Sequence, residues 1–238
     1  MSRIVKSLAP QDIYTSTVDN QFELGGFGET DDGRKFVYVQ QNASAASVAG
    51  SLYQSQAESA ANWEAIAMAT AAVGAKTVVS TGTVTLLVNA LAGGYMTVST
   101  GTGKGYTYKI AGNTAATGAV VTIYLEDALQ VALATGSTYV DVVPSPFKSV
   151  ELWDYSNHDG MPVGVAVSVI PVSYYGWMQV KGPAGLLIDS SGVAVGVNVY
   201  ASAAVDGCGD ATSTYGFVGT AITAGSSTEV AMVSLNIL

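Results

Sequence analysis

Apolar and polar residues alternate with a period of two along most of the chain, a pattern that predicts strands. Over residues 34–41, Phe36, Tyr38 and Gln40 fall on one side and Val37, Val39 and Gln41 on the other. Residues 48–55 form a second candidate, with Leu52 and Tyr53 its bulkiest members. From 76 to 143 the pattern is β throughout, with runs at 83–88, 95–100, 105–110, 120–125 and 139–143. Gly93-Gly94 reads as a turn, and Gly101-Thr102-Gly103-Lys104 reads as the turn that pairs the strands on either side of it. Further on, Val163, Val165, Val167 and Val169 alternate strictly with other residues, 176–181 repeats the pattern, and 193–200 is another strand. Residues 219–223 and 229–237 are expected to pair across Ala224-Gly225-Ser226-Ser227. Strands spaced by roughly 8–12 residues with glycine turns point to a sandwich or barrel.

The flanks are less regular. Residues 1–34 keep no period and are punctuated by Gly25, Gly26, Gly28 and the Asp32-Gly33 turn signal; they read as an extended arm or as an edge strand plus loop. The alanine-rich stretch 56–73 fits a helix or a strand and is taken as a connector. Pro144, Pro146 and the polar run 154–160 read as a linker. Phe36-Val37-Tyr38-Val39 echoes Trp177-Met178-Gln179-Val180, and Leu52-Tyr53 echoes Val199-Tyr200. The echo suggests that the first and last thirds share one core. The expected organisation is therefore a mainly β chain: an arm (1–34), a discontinuous β core (35–74 and 160–238), an inserted smaller β domain (75–150) and a linker (151–159).

Composition narrows the function classes. Charged residues make up only 11% of the chain and the formal net charge is −9, so there is little basic surface to meet phosphates. Nucleic acid and anionic membrane are not expected partners, and no apolar run is long enough for a transmembrane helix. The N-terminal residues carry no secretory signal, so synthesis in a cytoplasm is expected. The single cysteine, Cys208, excludes an internal disulfide framework and a multi-cysteine zinc site.

Candidate chemistry is sparse. The one histidine, His158, lies in a turn-like stretch with no nucleophile elbow in the sequence to support a triad. Lys104 in its glycine-rich turn is followed by Gly105, where a phosphate loop needs Ser or Thr. Glu126-Asp127 would point to opposite faces of a strand, and Glu151 with Asp154 flank Trp153, a possible sugar-stacking ring; solvated turn carboxylates are the preferred reading of both pairs. Asp206 and Asp210 around Cys208 lack the ligand spacing of an EF-hand, and with acids rather than bases beside it Cys208 is expected to be unreactive. No catalytic residue, cofactor or metal is assigned. Tyrosine outnumbers Phe and Trp combined, and Tyr suits interfaces as well as sheet packing. Tyr14, Phe22, Phe27, Tyr174, Tyr175 and Trp177 are the candidate interface residues.

The runs Gly103-Lys104-Gly105-Tyr106-Thr107-Tyr108-Lys109-Ile110 and Val121-Thr122-Ile123-Tyr124-Leu125-Glu126-Asp127-Ala128-Leu129 resemble virion structural proteins of tailed bacteriophages. Tyr175-Gly176-Trp177-Met178-Gln179-Val180-Lys181-Gly182-Pro183-Ala184, with the closing Gly219-Thr220-Ala221, is similar to phage head decoration, or cement, proteins. The resemblance covers roughly 35–55 and 75–238 and leaves the arm unmatched. It implies a non-enzymatic protein on the exterior of an icosahedral head. As a homotrimer it would bridge neighbouring major capsid proteins against internal pressure. A tail fibre or receptor-binding module is the alternative.

Overall fold

The computed structural model describes residues 6–157 and 159–238. Nearly all regular structure in it is β, divided between two compact units: Met1–Ala57 with Pro146–Leu238, and Glu58–Ser145. In chain order, the larger unit opens with β1 (Lys6–Leu8), β2 (Phe27–Thr30), β3 (Lys35–Gln40) and β4 (Leu52–Gln54). The smaller unit holds one helical turn, α1 (Ala60–Trp63), then β5 (Ile66–Ala67), β6 (Thr77–Val79), β7 (Val84–Leu86) and β8 (Tyr95–Thr100). It continues with β9 (Thr107–Asn113), β10 (Ala116–Ala119), β11 (Thr122–Leu125) and β12 (Tyr139–Val143). The chain then returns through β13 (Glu151–Leu152), β14 (Pro162–Ala166) and β15 (Tyr175–Leu187) to β16 (Asn198–Ala201), β17 (Gly209–Asp210), β18 (Phe217–Ala221) and β19 (Val230–Asn236).

In the larger unit β15 is the spine. Its first half pairs with β3 (Trp177 opposite Tyr38) and with β14, and its second half pairs with β19 (Ala184 opposite Val233). Two rings of pairings share it. One runs β3–β15–β14–β4–β13 and closes where Val150, just before β13, donates its N–H to Gln40 while Asn42 donates to Val150. The other runs β15–β19–β18–β16–β17 and closes through the bridge between Ile188 and Gly209. Ring closure removes most exposed strand edges. The strand alternation of β3 is realised on both faces: Val37 and Val39 join Tyr53, Val150, Met178 and Val180, whereas Phe36 and Tyr38 turn to Leu8, Ile13 and Trp177. Val199, Val218, Ala231, Val233 and Leu235 fill the second ring. The echoing segments 36–39 and 177–180 are thus hydrogen-bonded neighbours.

The smaller unit is also ring-like. Its strands run β5–β12–β8–β9–β11–β6, and the Met68–Ser80 bridge joins the two ends. Met96, Val98, Ile110, Ile123, Val140 and Val142 point inward, and the β7–β10 ribbon contributes Val84, Leu86 and Ala116 to the same cluster. The β8–β9 hairpin turns at Gly101, whose φ of +82° suits glycine and where a Cβ would lie 2.3 Å from the Ser137 carbonyl.

Several sequence expectations are corrected here. The unit boundaries fall at 57/58 and 145/146 rather than near 75 and 150, because the alanine-rich stretch supplies β5 to the smaller unit. Residues 151–159 are not merely a linker: β13 pairs with β4. Within the supposed arm, residues 6–34 are sewn onto the body. Leu8 and Ile13 are buried beside Trp177, β1 pairs in parallel with β2, and Thr17 exchanges two backbone hydrogen bonds with Tyr175. Isolated apolar residues without a period were enough to dock it; residues 1–5 lie outside the described residues.

The β4–β13 pairing has a consequence for folding. The antiparallel partners Gln54 and Glu151 place the exit to the smaller unit beside the return from it, as at the tip of a hairpin. Replacing residues 58–145 by a short Gly-Ser linker is expected to leave a cooperatively melting larger unit, measurable by circular dichroism. A non-cooperative product would contradict this.

Candidate functional site

The six candidate interface residues separate into three groups. Phe22, Tyr175 and Trp177 converge on Tyr38, a residue the sequence reading passed over as an ordinary strand member. Phe22 meets Tyr38 edge-on with centroids 5.1 Å apart, Trp177 lies 5.0 Å from Tyr38, and Tyr175 stacks on Tyr38 at 6.1 Å. The period-two spacing of Tyr175 and Trp177 puts both on the face of β15 that looks toward β3's Tyr38. Trp177 is only 4% exposed, so it serves the chain's own core. Phe27 and Tyr174 pack instead against the Val37–Val39–Met178 cluster. Tyr14 stands apart at the end of a single 3-10 turn, Asp12–Tyr14, and is 54% exposed.

The large apolar residues of this segment that face solvent are Tyr14, Phe22 and one residue the sequence did not single out, Val18, which is 64% exposed. Phe22 rests on Tyr38 and Trp177, which belong to a buried cluster with Leu8 and Ile13. A second exposed apolar point lies in the smaller unit. The run 83–88 ends as a strand at Leu86, leaving Leu87 81% exposed and Val88 largely so. Uninterrupted β-type residues hid that end in the sequence.

The candidate chemical groups are occupied structurally. Glu151 accepts the Ala57 N–H at 2.7 Å and lies 3.4 Å from the Gln54 amide, anchoring the exit from β4. Asp154 accepts the Ser156 hydroxyl and N–H and the Asn157 amide, and these bonds hold its carboxyl down at about 2, too acidic for proton donation near neutrality. Trp153 is buried and donates its indole N–H to the Ser202 carbonyl, so its ring is not available to a sugar. Glu126 sits 3.4 Å from Lys109 and its backbone carbonyl accepts from Lys76. Lys104 occupies the β8–β9 turn. Burial would raise Asp210, but hydrogen bonds from Ser191 and Thr212 outweigh it and hold this carboxyl below its ordinary value. Among the described residues no group of three His, Cys, Asp or Glu is placed to hold a metal ion, and His158 lies outside them.

Cys208 is buried, and burial with the nearby charges of Asp189 and Asp206 pushes its thiol up to about 11. Only a thiolate attacks a disulfide reagent. Native protein at pH 8 is expected to stay unlabelled by a thiol-disulfide reagent over an hour and to react within minutes in denaturant. Because the folded value exceeds the unfolded one, this group's contribution to stability is present below pH 9 and is lost as pH rises toward about 11.

No helix among the described residues is long and apolar enough to cross a membrane. Comparisons of the chain with protein-family models, curated proteins and solved structures found no match.

Proposed function

We propose that this chain is a structural virion protein that binds the outside of a phage icosahedral head and cements neighbouring major capsid proteins, acting by binding rather than catalysis. The observation that carries the reading is the likeness of residues 175–184 to head decoration proteins, together with the place of those residues on β15, the strand both rings share. An acidic chain fits an external position, since it is repelled by the genome. The exposed Tyr14, Val18 and Phe22 of the N-terminal segment offer side chains of the aromatic and aliphatic kind that interfaces favour.

In this reading cementing is multivalent. A homotrimer presents the contact three times, and each contact after the first is effectively intramolecular, so avidity rises about 10²–10⁴-fold over a single site. The decisive measurement is copy number in purified particles. Hundreds of copies per head support the reading; a few copies would assign the chain to a tail fibre or receptor-binding module, and absence from particles would end both. Because Leu8 and Ile13 are buried, truncating the first 20 residues would disturb folding as well as binding. Tyr14→Ser with Val18→Ser is the cleaner test: melting unchanged, head occupancy lowered at least about tenfold.

A further inference from the structure

A half-open cavity of about 80 Å³ lies in the larger unit between the docked N-terminal segment and the aromatic cluster. Its walls include the aromatic rings of Phe22, Tyr38 and Trp177 and the polar side chains of Lys6, Asp12 and Gln21. The polar groups are largely unspent. The Lys6 ammonium sits 3.8 Å from the centroid of Phe22 and, among the described residues, has no hydrogen-bond or ion-pair partner. Asp12 uses Oδ2 to accept the Ala9 N–H, which leaves Oδ1 open. The side-chain amide of Gln21 is likewise uncommitted, while its backbone N–H donates to the Tyr38 hydroxyl.

Opposite charges thus line one small cavity without pairing with each other. That arrangement selects against simple ions. An anion meeting Lys6 also meets Asp12, and a cation meeting Asp12 also meets Lys6. A neutral ligand with adjacent hydroxyls satisfies both: one hydroxyl donates to Asp12 Oδ1 and its neighbour accepts from Lys6 Nζ, which itself rests on the Phe22 ring. At about 80 Å³ and half-open, the cavity receives one edge of a single ring, with the rest of the ring in solvent, and not a chain of rings. We infer that this cavity is a binding site for a single saccharide residue. It goes beyond the shell-binding reading and shares only Phe22 with that contact surface; the test below uses the free protein, so its outcome does not depend on shell binding.

The test uses the full-length protein in saturation-transfer NMR with glucose, galactose and N-acetylglucosamine. A one-ring ligand in a half-open site binds with Kd on the order of 1–10 mM. Saturable transfer from at least one of the three sugars is expected, weakened at least about tenfold in Lys6→Met and in Asp12→Asn with melting unchanged. A parallel arm presents the same sugars as terminal residues on a surface. Binding in both arms assigns the site to glycan ends, and binding of the free sugars alone assigns it to a small molecule. No transfer from any of the three at about 50 mM would overturn the inference. Equal binding by both variants would overturn it too, as would displacement of the sugar by sodium acetate at the same concentration.

Discussion

Trp177→Ala lowers the stability of the larger unit by about 3–5 kcal/mol, the usual cost of truncating a buried Trp. Trp177 is almost wholly enclosed by Tyr38, Phe22, Leu8 and Ile13. A Cβ placed on Gly28 would come within 3.1 Å of its ring, which shows how closely β2 approaches it. Removing the indole opens a cavity that the paired strands β2, β3 and β15 cannot collapse to fill, because their ladders fix the spacing. At 2–4 °C per kcal/mol for a unit of this size, the midpoint of the larger unit falls by roughly 6–20 °C. Trp153 and Trp177 lie in the larger unit and Trp63 in the smaller, so the fluorescence of Trp177→Ala and its parent, both in a Trp63→Phe background, follows the larger unit, and Trp63 in a Trp153→Phe, Trp177→Ala protein follows the smaller. The smaller unit's midpoint stays in place. A loss below about 1 kcal/mol, or an equal loss in both units, would refute this assignment of Trp177 to an internal role.

That role illustrates what the sequence could and could not disclose. Alternation and glycine turns located the hairpins correctly: β8 pairs with β9 and β18 with β19 where the periodicity places them. The mainly β character was legible for the same local reason. Ring closure was not, because it depends on single bridges such as Gln41–Val150 and Met68–Ser80, pairings between segments distant in sequence that alternation alone cannot assign. The docking of the N-terminal segment was hidden similarly: Leu8, Ile13 and Leu24 are spaced for no regular element, and only the tertiary cluster explains them. Aromatic residues marked the site region without separating its layers. Trp177 and Tyr175 were as visible as Tyr14, yet the first is core and the last is surface: Leu8 and Ile13 of the docked segment cover Trp177, whereas Tyr14 ends a 3-10 turn on that segment and stays exposed. Trp153 follows the same logic, since flanking acids suggested exposure while Ser202 buried its indole.

Gly94→Ala is the corresponding lesion in the smaller unit. A Cβ at Gly94 would lie 2.0 Å from the Val143 carbonyl oxygen and 2.8 Å from the backbone of Pro144. These are backbone atoms at the end of β12, paired through Val143 with Tyr95, so they cannot swing aside as a flexible side chain would. Gly94 is itself held in place, accepting the Ile110 N–H and donating to the Leu91 carbonyl. Relief requires β8 and β12 to separate, which disturbs the inward-facing Met96 and Val142. The expected cost is about 2–3 kcal/mol, the upper end of overpacking. For a unit of that size this is roughly a 10–20 °C fall in its midpoint. Gly93→Ala gives the contrast: there the φ of +75° makes any side chain costly, but the nearest atom to a Cβ is 3.7 Å away, so the loss is limited to about 1–2 kcal/mol. If steric contact with β12 governs, Gly94→Ala is the more damaging of the two, and neither change moves the transition reported by Trp153. Reversal of that order would mean that backbone conformation at the turn, and not the packing of β8 on β12, limits the stability of the smaller unit.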